Sequence, residues 1–330
     1  MKKTIVLVFG LFFVTLFSCS KGKSTYVNKQ KFNKEWCFVK LDDSISETVF
    51  YEKDFNDSMW AKVTLPHTPQ LEPKIVNNQW QGICWYRKNF NLSDNLLSKQ
   101  LFLKFEGAMN IAEVWVNGQK LIEHHGGYLP FIVNFTKVAN FDKENIVAVR
   151  LNNQDNPVTG PKPLKILDFN TYGGIYRNVW LIAKDPLHIT DPVGANKTAS
   201  GGVFVTYPEV SEKTAKIKVK THVKNVNGNA VSFTVKNTLL KGNKVILTEL
   251  SNEQNLETDN DKEVVVEMQV ENPKLWSPSA PNLYSLKTEI IQDGLLIDQE
   301  ITQIGIKTMK FVGQDFYLNG EKTFLRGVNR

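Results

Sequence analysis

The stretch Ala112-Glu113-Val114-Trp115-Val116-Asn117-Gly118-Gln119-Lys120-Leu121-Ile122 reads as two short strands joined by a tight turn. Apolar residues recur up to Val116. Asn117-Gly118 then supplies the left-handed backbone that a two-residue hairpin demands, and Leu121-Ile122 begins the return. The same pattern extends outward. Leu101 to Phe105 alternates, Asn145 to Leu151 alternates through Ile146-Val147-Ala148-Val149-Arg150, and Asn178 to Ala183 is a further strand. No helical period holds over this region. Short strands separated by Gly, Pro, Asn and Asp predict an all-β jelly-roll sandwich over residues 31–184.

Asp185-Pro186 and Asp191-Pro192 mark a change of composition. Beyond them, strands are expected over 216–226, 230–240, 244–250, 264–270 and 284–291. Asn227-Gly228, Lys241-Gly242-Asn243 and Asp293-Gly294 supply the turns. About seven strands at this spacing fit an immunoglobulin-like sandwich over 185–308. Trp276 reads as packing rather than as a sugar platform. In the last segment, 309–330, Phe316-Tyr317-Leu318 runs into the hairpin signal Asn319-Gly320. Thr323 to Arg330 reads as a new strand that opens a further domain. An unpaired apolar strand is an aggregation hazard, so the natural protein is expected to continue beyond it.

The chain has 330 residues, room for two domains. Hydrophobic residues at 42% exclude disorder along the whole length. The net charge is +6, with no basic stripe, which argues against a nucleic-acid partner. Three cysteines make no disulfide scaffold, and no Cys-x-x-Cys pair suggests zinc. Lys2 and Lys3 precede an apolar run, Thr4 to Phe17, too short to span a bilayer, which takes about 20 residues. This is the form of an export signal over 1–18. Leu16-Phe17-Ser18-Cys19 resembles a bacterial lipobox, in which the cut falls before a cysteine whose thiol takes up a lipid. The resemblance implies lipidation of Cys19, a polar tether over 19–30, and an exported protein anchored to a bacterial membrane, periplasmic or at the cell surface. The alternative is a plain signal peptide in which Cys19 is incidental.

Four further segments carry a family resemblance. They are Leu65-Pro66-His67-Thr68 with Gly82-Ile83-Cys84-Trp85-Tyr86-Arg87; Val114 to Gly118 with His125-Gly126-Gly127-Tyr128-Leu129-Pro130-Phe131; Tyr172-Gly173-Gly174-Ile175-Tyr176-Arg177-Asn178-Val179-Trp180; and Phe316 to Arg330. Leu275-Trp276-Ser277-Pro278 and Pro281-Asn282-Leu283-Tyr284 support them. In this order the chain resembles the N-terminal portion of glycoside hydrolase family 2, the group of β-galactosidases, β-glucuronidases and β-mannosidases. The resemblance implies a jelly roll, an immunoglobulin-like sandwich and then a (β/α)8 barrel. Of that barrel only the first strand falls within the sequence, since a barrel takes about 250 residues.

The family resemblance implies retaining hydrolysis of O-glycosyl bonds by two glutamates about 5–5.5 Å apart, both on barrel strands. No carboxylate of this sequence matches either motif, so no catalytic residue is assigned and the chain alone is expected to be inactive. Glu47, Glu106 and Glu123 read as solvated surface. The resemblance does place Asp168 at a position that in β-galactosidase members accepts sugar hydroxyls and ligates a monovalent cation. Asp168 is therefore the expected substrate contact, with the β-galactoside class favoured, and otherwise reads as an exposed loop carboxylate. No cofactor is required; the complete enzyme is expected to take Na+ or Mg2+. Asn77 or Asn78 is a second candidate hydroxyl contact. Arg177 is expected to hold a carboxylate or carbonyls between domains, and Gly126-Gly127 and Gly173-Gly174 to serve turns. Adjacent His124 and His125 face opposite ways on a strand, which argues against joint metal ligation. Cys37 and Cys84 remain open between a disulfide and two buried thiols. Trp80 and Trp85 read as core. The expected partners are a β-linked oligosaccharide or glycoside, a membrane through Cys19, and the absent barrel. The competing readings are a stand-alone carbohydrate-binding lipoprotein and a structural module with no sugar contact.

Overall fold

In the computed structural model, residues 28–41, 49–71, 79–159 and 170–328 are described. Ten strands build the first sandwich: β1 (Asn28–Lys31), β2 (Trp36–Lys40), β3 (Ala61–Val63), β4 (Ile83–Phe90), β5 (Gln100–Phe105), β6 (Ile111–Val116), β7 (Gln119–His125), β8 (Phe131–Asn134), β9 (Asn145–Asn152) and β10 (Val179–Lys184). They form a six-stranded sheet, β3-β2-β4-β9-β6-β7, and a four-stranded sheet, β1-β10-β5-β8. One core lies between them. Alternation along β5 sends Leu101, Leu103 and Phe105 inward to meet Val114, Val147, Val149 and Leu151. The expected tether loses its last residues to β1. Asn28 to Lys31 pair with β10, where the backbone is satisfied, and the side chains of Lys29, Gln30 and Lys31 stay outside; Lys29 and Lys31 lie over the Trp180 ring.

The Asn117-Gly118 hairpin is present, with both residues at positive φ. Its asparagine also fastens the neighbouring loop. Asn117 Oδ1 accepts from Ile146 N, and its Nδ2 donates to Asn145 Oδ1 at 2.8 Å and Val138 O at 2.6 Å.

The outer face of the six-stranded sheet carries a second, smaller core. On β4, Cys84, Tyr86 and Phe90 face the main core, while Trp85 packs outward with Phe50, Trp115 and Ala148. Arg87 shares that outward face and is 1% exposed. Its guanidinium donates to Asp57 Oδ2 at 2.9 Å and to the carbonyls of Phe50, Glu52 and Phe55. A planar fork with five donors suits this task, and it draws segment 50–57 down as a cover.

The second sandwich holds β11 (Leu187–Ile189), β12 (Val203–Val210), β13 (Thr214–Asn225), β14 (Val231–Lys241), β15 (Lys244–Leu250), β16 (Gln254–Leu256), β17 (Asp261–Glu271), β18 (Tyr284–Gln292) and β19 (Leu295–Ile304). One sheet centres on β13, flanked by β17 and by β12 and β11. The other runs β15-β14-β18-β19, with β16 on the end of β14. β17 alternates cleanly, burying Val266, Met268 and Val270 in one cluster with Ile217, Val219 and Leu286, and Val264 in another with Val223 and Phe233. The expected strands are all present; β11, β12, β16 and β19 were not foreseen. A small sheet of β20 (Met309–Val312), β21 (Asp315–Leu318) and β22 (Glu321–Lys322) follows. The strand expected from Thr323 onward is absent over 323–328: after Thr323 N donates to Phe316 O, no strand pairs with it among the described residues. Trp276 holds this small sheet in place. It is half-buried against Gly305, and its carbonyl accepts from Asn319 Nδ2 at 3.0 Å.

Charge joins the two sandwiches. Lys184, at the end of β10, is buried and donates to Asp298 Oδ2 at 3.1 Å and Glu300 Oε1 at 2.6 Å on β19. Burial alone would lower its pKa, but the two carboxylates outweigh that and hold it above the ordinary lysine value. Asp298 also accepts from Ile189 N at 2.8 Å. Lys99 and Lys104 of the first sandwich reach Asp185 and Asp191 at 2.5 and 2.6 Å. His188 sits in the same joint with its ring against Phe102, and Nδ1 donates to Asp185 O at 2.8 Å.

Burial, reinforced by the Lys184 charge, holds the His188 imidazole down at a pKa of about 4. An unfolded histidine titrates near pH 6.5. Between about pH 6.5 and about pH 4 the unfolded chain therefore binds a proton that the folded chain refuses, and stability falls with pH. His188→Gln is expected to lose up to about 3 kcal/mol less than the parent over that interval in urea unfolding. Parallel pH profiles for the two proteins would contradict this role.

Candidate functional site

Three of the four motif segments, scattered over more than a hundred residues of sequence, meet at one end of the first sandwich. Gly174 is the meeting point. Its φ is +90°, and a Cβ there would stand 2.6 Å from the Tyr86 hydroxyl, 2.7 Å from His67 O and 2.8 Å from Pro69 Cδ. Only glycine fits such a position. His67 N donates to Ile175 O at 2.9 Å, and His67 Nδ1 shares a 2.8 Å hydrogen bond with the Tyr86 hydroxyl. Burial lowers the His67 pKa and raises that of Tyr86, so both groups are neutral at pH 7. Met109 N donates to Gly174 O at 2.9 Å, and the Met109 thioether lies over Gly127, where no Cβ fits. Tyr176 closes the ring by donating its hydroxyl to Gly127 O at 2.5 Å.

Around this knot runs a polar rim. Asn153 Oδ1 accepts from Gly82 N at 2.8 Å, and its Nδ2 donates to Trp80 O at 3.0 Å. Gln79 Oε1 accepts from Thr171 N at 2.6 Å. Asn110 Nδ2 and Asn156 Nδ2 both donate to Thr159 Oγ1, at 2.5 and 2.8 Å. Thr159 and Thr171 are thus anchored on either side of the segment that contains Asp168. Tyr128 is exposed beside Tyr176, and the Arg177 guanidinium lies 5.8 Å from the Tyr176 ring.

Several expected site residues, Asp168, Cys19, Glu47, Asn77 and Asn78, lie outside the described residues. Others are corrected. Arg177 does not lock the domains together: it is exposed and stacks on Tyr176. Glu106 is not solvated surface. It is half-buried and accepts from Trp180 Nε1 at 2.7 Å and Asn178 Nδ2 at 2.9 Å. Burial pushes its pKa up, but these two donors prevail and it lies below the usual value. Cys37 and Cys84 are both free and buried. Cys84 pairs with Lys40, three positions from Cys37, and an odd offset puts the two thiols on opposite faces of the sheet. Trp85 is core, while Trp80 is only half-buried. His124 stacks on Phe131 and His125 turns to Glu123, so the pair does not converge. Among the described residues no group of three or more His, Cys, Asp or Glu could hold a metal ion.

Glu113 and Glu123 face each other across β6 and β7. Lys120 donates to both, Arg150 donates to Glu113, and His125 shares a hydrogen bond with Glu123. Hydrogen bonds from Lys120 and His125 hold Glu123 down at about 2. A general acid needs the opposite, a raised pKa, so this pair is structural. A cavity of about 800 Å3 lies between the sandwiches. Two ion pairs of the joint line it, Lys104 with Asp191 and Lys184 with Glu300, and His222 hydrogen-bonded to Asp261 lines it from the second sandwich.

Sequence reasoning missed Gln79, Asn110 and Asn153. Single polar residues in loops and at strand ends carry no periodic signal. Gly174→Ala is expected to destabilise the first sandwich by at least about 2 kcal/mol, from left-handed strain and overlap with Tyr86. Unchanged urea unfolding would show that the knot relaxes freely.

Comparison with known proteins agrees with this geometry. Residues 23–186 match "Glycosyl hydrolases family 2, sugar binding domain", and residues 202–307 match "Glycosyl hydrolases family 2". A β-galactosidase of Thermoanaerobacter pseudethanolicus is 30% identical over 313 residues, covering 91% of this chain and 38% of the relative. A β-glucuronidase of Formosa agariphila is 29% identical over 323 residues, covering 93% and 32%. Among solved structures, Bacteroides uniformis β-glucuronidase 2, covalently bound to cyclophellitol-6-carboxylate aziridine, superposes with a TM-score of 0.81 at 28% identity, covering 92% of this chain and 35% of that one. The chain therefore spans about a third of the length of the relatives it matches, and it belongs to glycosyl hydrolases family 2, as the sugar binding domain and the sandwich that follows it.

Proposed function

We propose that this chain is the N-terminal, non-catalytic part of an exported retaining β-glycosidase, with a β-galactoside as its substrate. One observation carries the reading. Three of the four motif segments converge on Gly174, and the polar rim around them anchors Thr159 and Thr171 on both sides of the segment bearing Asp168. Asp168 serves as the hydroxyl acceptor of that site, while the glycosyl-transferring carboxylates belong to a further domain. Glu123, which faces Glu113 across the hairpin, is held down at about 2, the opposite of what a general acid requires. Exposed Met309, Phe311 and Val312 on β20 fit a surface that such a domain covers. A β-glucuronide is the second reading, favoured by the β-glucuronidase with which the chain superposes at a TM-score of 0.81.

The complete protein encoded by the gene, assayed on aryl β-galactosides and aryl β-glucuronides, tests this. Turnover of the galactoside is expected, with Asp168→Ala lowering kcat/KM about 10–100-fold through a lost charge-assisted hydrogen bond. An unchanged kcat/KM removes the role of Asp168. Turnover of the glucuronide alone selects the second reading. Turnover of neither, with sugar binding retained, leaves a carbohydrate-binding lipoprotein. The 330-residue chain by itself is expected to turn over neither.

Export with a lipid anchor is part of the same proposal, on the strength of Leu16-Phe17-Ser18-Cys19. Labelled fatty acid is expected to enter the protein in a bacterial host, and Cys19→Ala to abolish the label. Label retained by that variant would place the lipid elsewhere.

A further inference from the structure

β3 is a three-residue edge strand paired only with β2. Its central residue, Lys62, stands directly across from Cys37. Lys62 Nζ lies 2.8 Å from Cys37 Sγ. An N–H···O hydrogen bond has its usual length near 2.9–3.0 Å, and sulfur is the larger atom, so an ordinary N–H···S contact is longer still. The hydrogen bond brings nitrogen and sulfur close enough for one oxygen atom bonded to both to span them. Cys37 is 4% exposed, and the Lys62 side chain reaches it from the exposed edge. The hydrogen bond to Cys37 is the main reason that the Lys62 pKa is raised, with Asp57 and Glu35 contributing. The amine is therefore held against the thiol. The other nearby cation is occupied: Lys88 donates to Lys34 O. Cys84 has no such partner. Burial drives its thiol pKa upward, away from the reactive thiolate.

We propose that Cys37 and Lys62 are the site of a reversible covalent cross-link, a sulfur–oxygen–nitrogen bridge between β2 and β3, with dioxygen as the oxidant. One thiol, one ammonium and one dioxygen give the bridge, one water and one proton. The S–H bond and two N–H bonds break, one of them by loss of a proton to solvent; S–O and O–N bonds form; one N–H remains. Sulfur and nitrogen each give up two electrons, and the two oxygen atoms take all four. Two equivalents of a dithiol reverse the reaction, restoring thiol and amine with release of water and two disulfides. The bridge staples an edge strand that otherwise holds by three residue pairs. Trp60, just before it, packs into the outer core, and Leu65 to His67, just after it, lead to Gly174. Oxidation thereby ties both features to the interior of the sheet.

Intact-mass measurement of the full chain in air-equilibrated buffer, with an anaerobic sample as reference, tests the bridge. A gain of about 14 Da, one oxygen added and two hydrogens lost, is expected. A dithiol should remove it, and a digest should contain one cross-linked peptide with Cys37 and Lys62. The gain should vanish in Cys37→Ser and in Lys62→Arg and persist in Cys84→Ser. A gain of about 16 Da on Cys37 with Lys62 free would mean simple sulfenic acid, and a loss of about 2 Da a direct sulfur–nitrogen bond. Either result, an unchanged mass, or a 14 Da gain that survives Lys62→Arg overturns the proposal. The unmodified sequence supplies the primary reading, so the test does not depend on the variants folding.

Discussion

The end of the first sandwich depends on a residue with no side chain. Gly174 lets the backbone turn through a left-handed φ while Tyr86, His67 and Pro69 close over the space where a Cβ would be. Three consequences follow from this contact. The segment after His67 is fixed to Ile175, the Met109 segment is bonded to Gly174, and Gly127 is brought under Met109 and Tyr176. Close backbone approach at one point thus ties together four loops of different origin. Loops mounted on a rigid scaffold in this way are where binding groups are usually found.

The same economy governs the buried charges. Arg87 spends its donors on Asp57 and three carbonyls, Lys88 donates to a carbonyl, and Lys184 lies between Asp298 and Glu300. A buried charge without partners is strongly unfavourable, so each cation dictates where a loop or strand must lie. Arg87 positions the cover of the outer core, and Lys184 positions the second sandwich against the first. These contacts specify arrangement more than they add stability, since desolvation cancels much of the attraction.

The fold class was legible because strand alternation and turn residues are local. Ala112 to Ile122, Asn145 to Leu151 and Asp261 to Glu271 each show their inward face in one dimension, and Asn117-Gly118 names its own turn. Less regular strands escaped. β1 is polar because it is an edge, and β12 is only half-buried, so neither shows a strong pattern. Thr323 to Val328 misled in the other direction: an apolar run favours a strand, but a strand exists only where another pairs with it. Of the candidate site, the glycine pairs stood out by type. Gln79, Asn110 and Asn153 did not, because what distinguishes them is the backbone group each one meets.

By itself the sequence determined an all-β chain, the hairpins, the division near Asp185-Pro186, and the family to which the ordered motifs belong. These rest on periodicity, turn chemistry and spacing, which are properties of neighbours along the chain. Only the tertiary structure decided that Cys37 and Cys84 face apart, that Glu106 is held by Trp180 and Asn178, that Arg177 leaves the interior, and that Lys62 reaches Cys37. Each of these depends on register between strands or on a partner far away in sequence. A shift of one residue in register reverses every side chain of a strand, and no local pattern encodes which partner will be met.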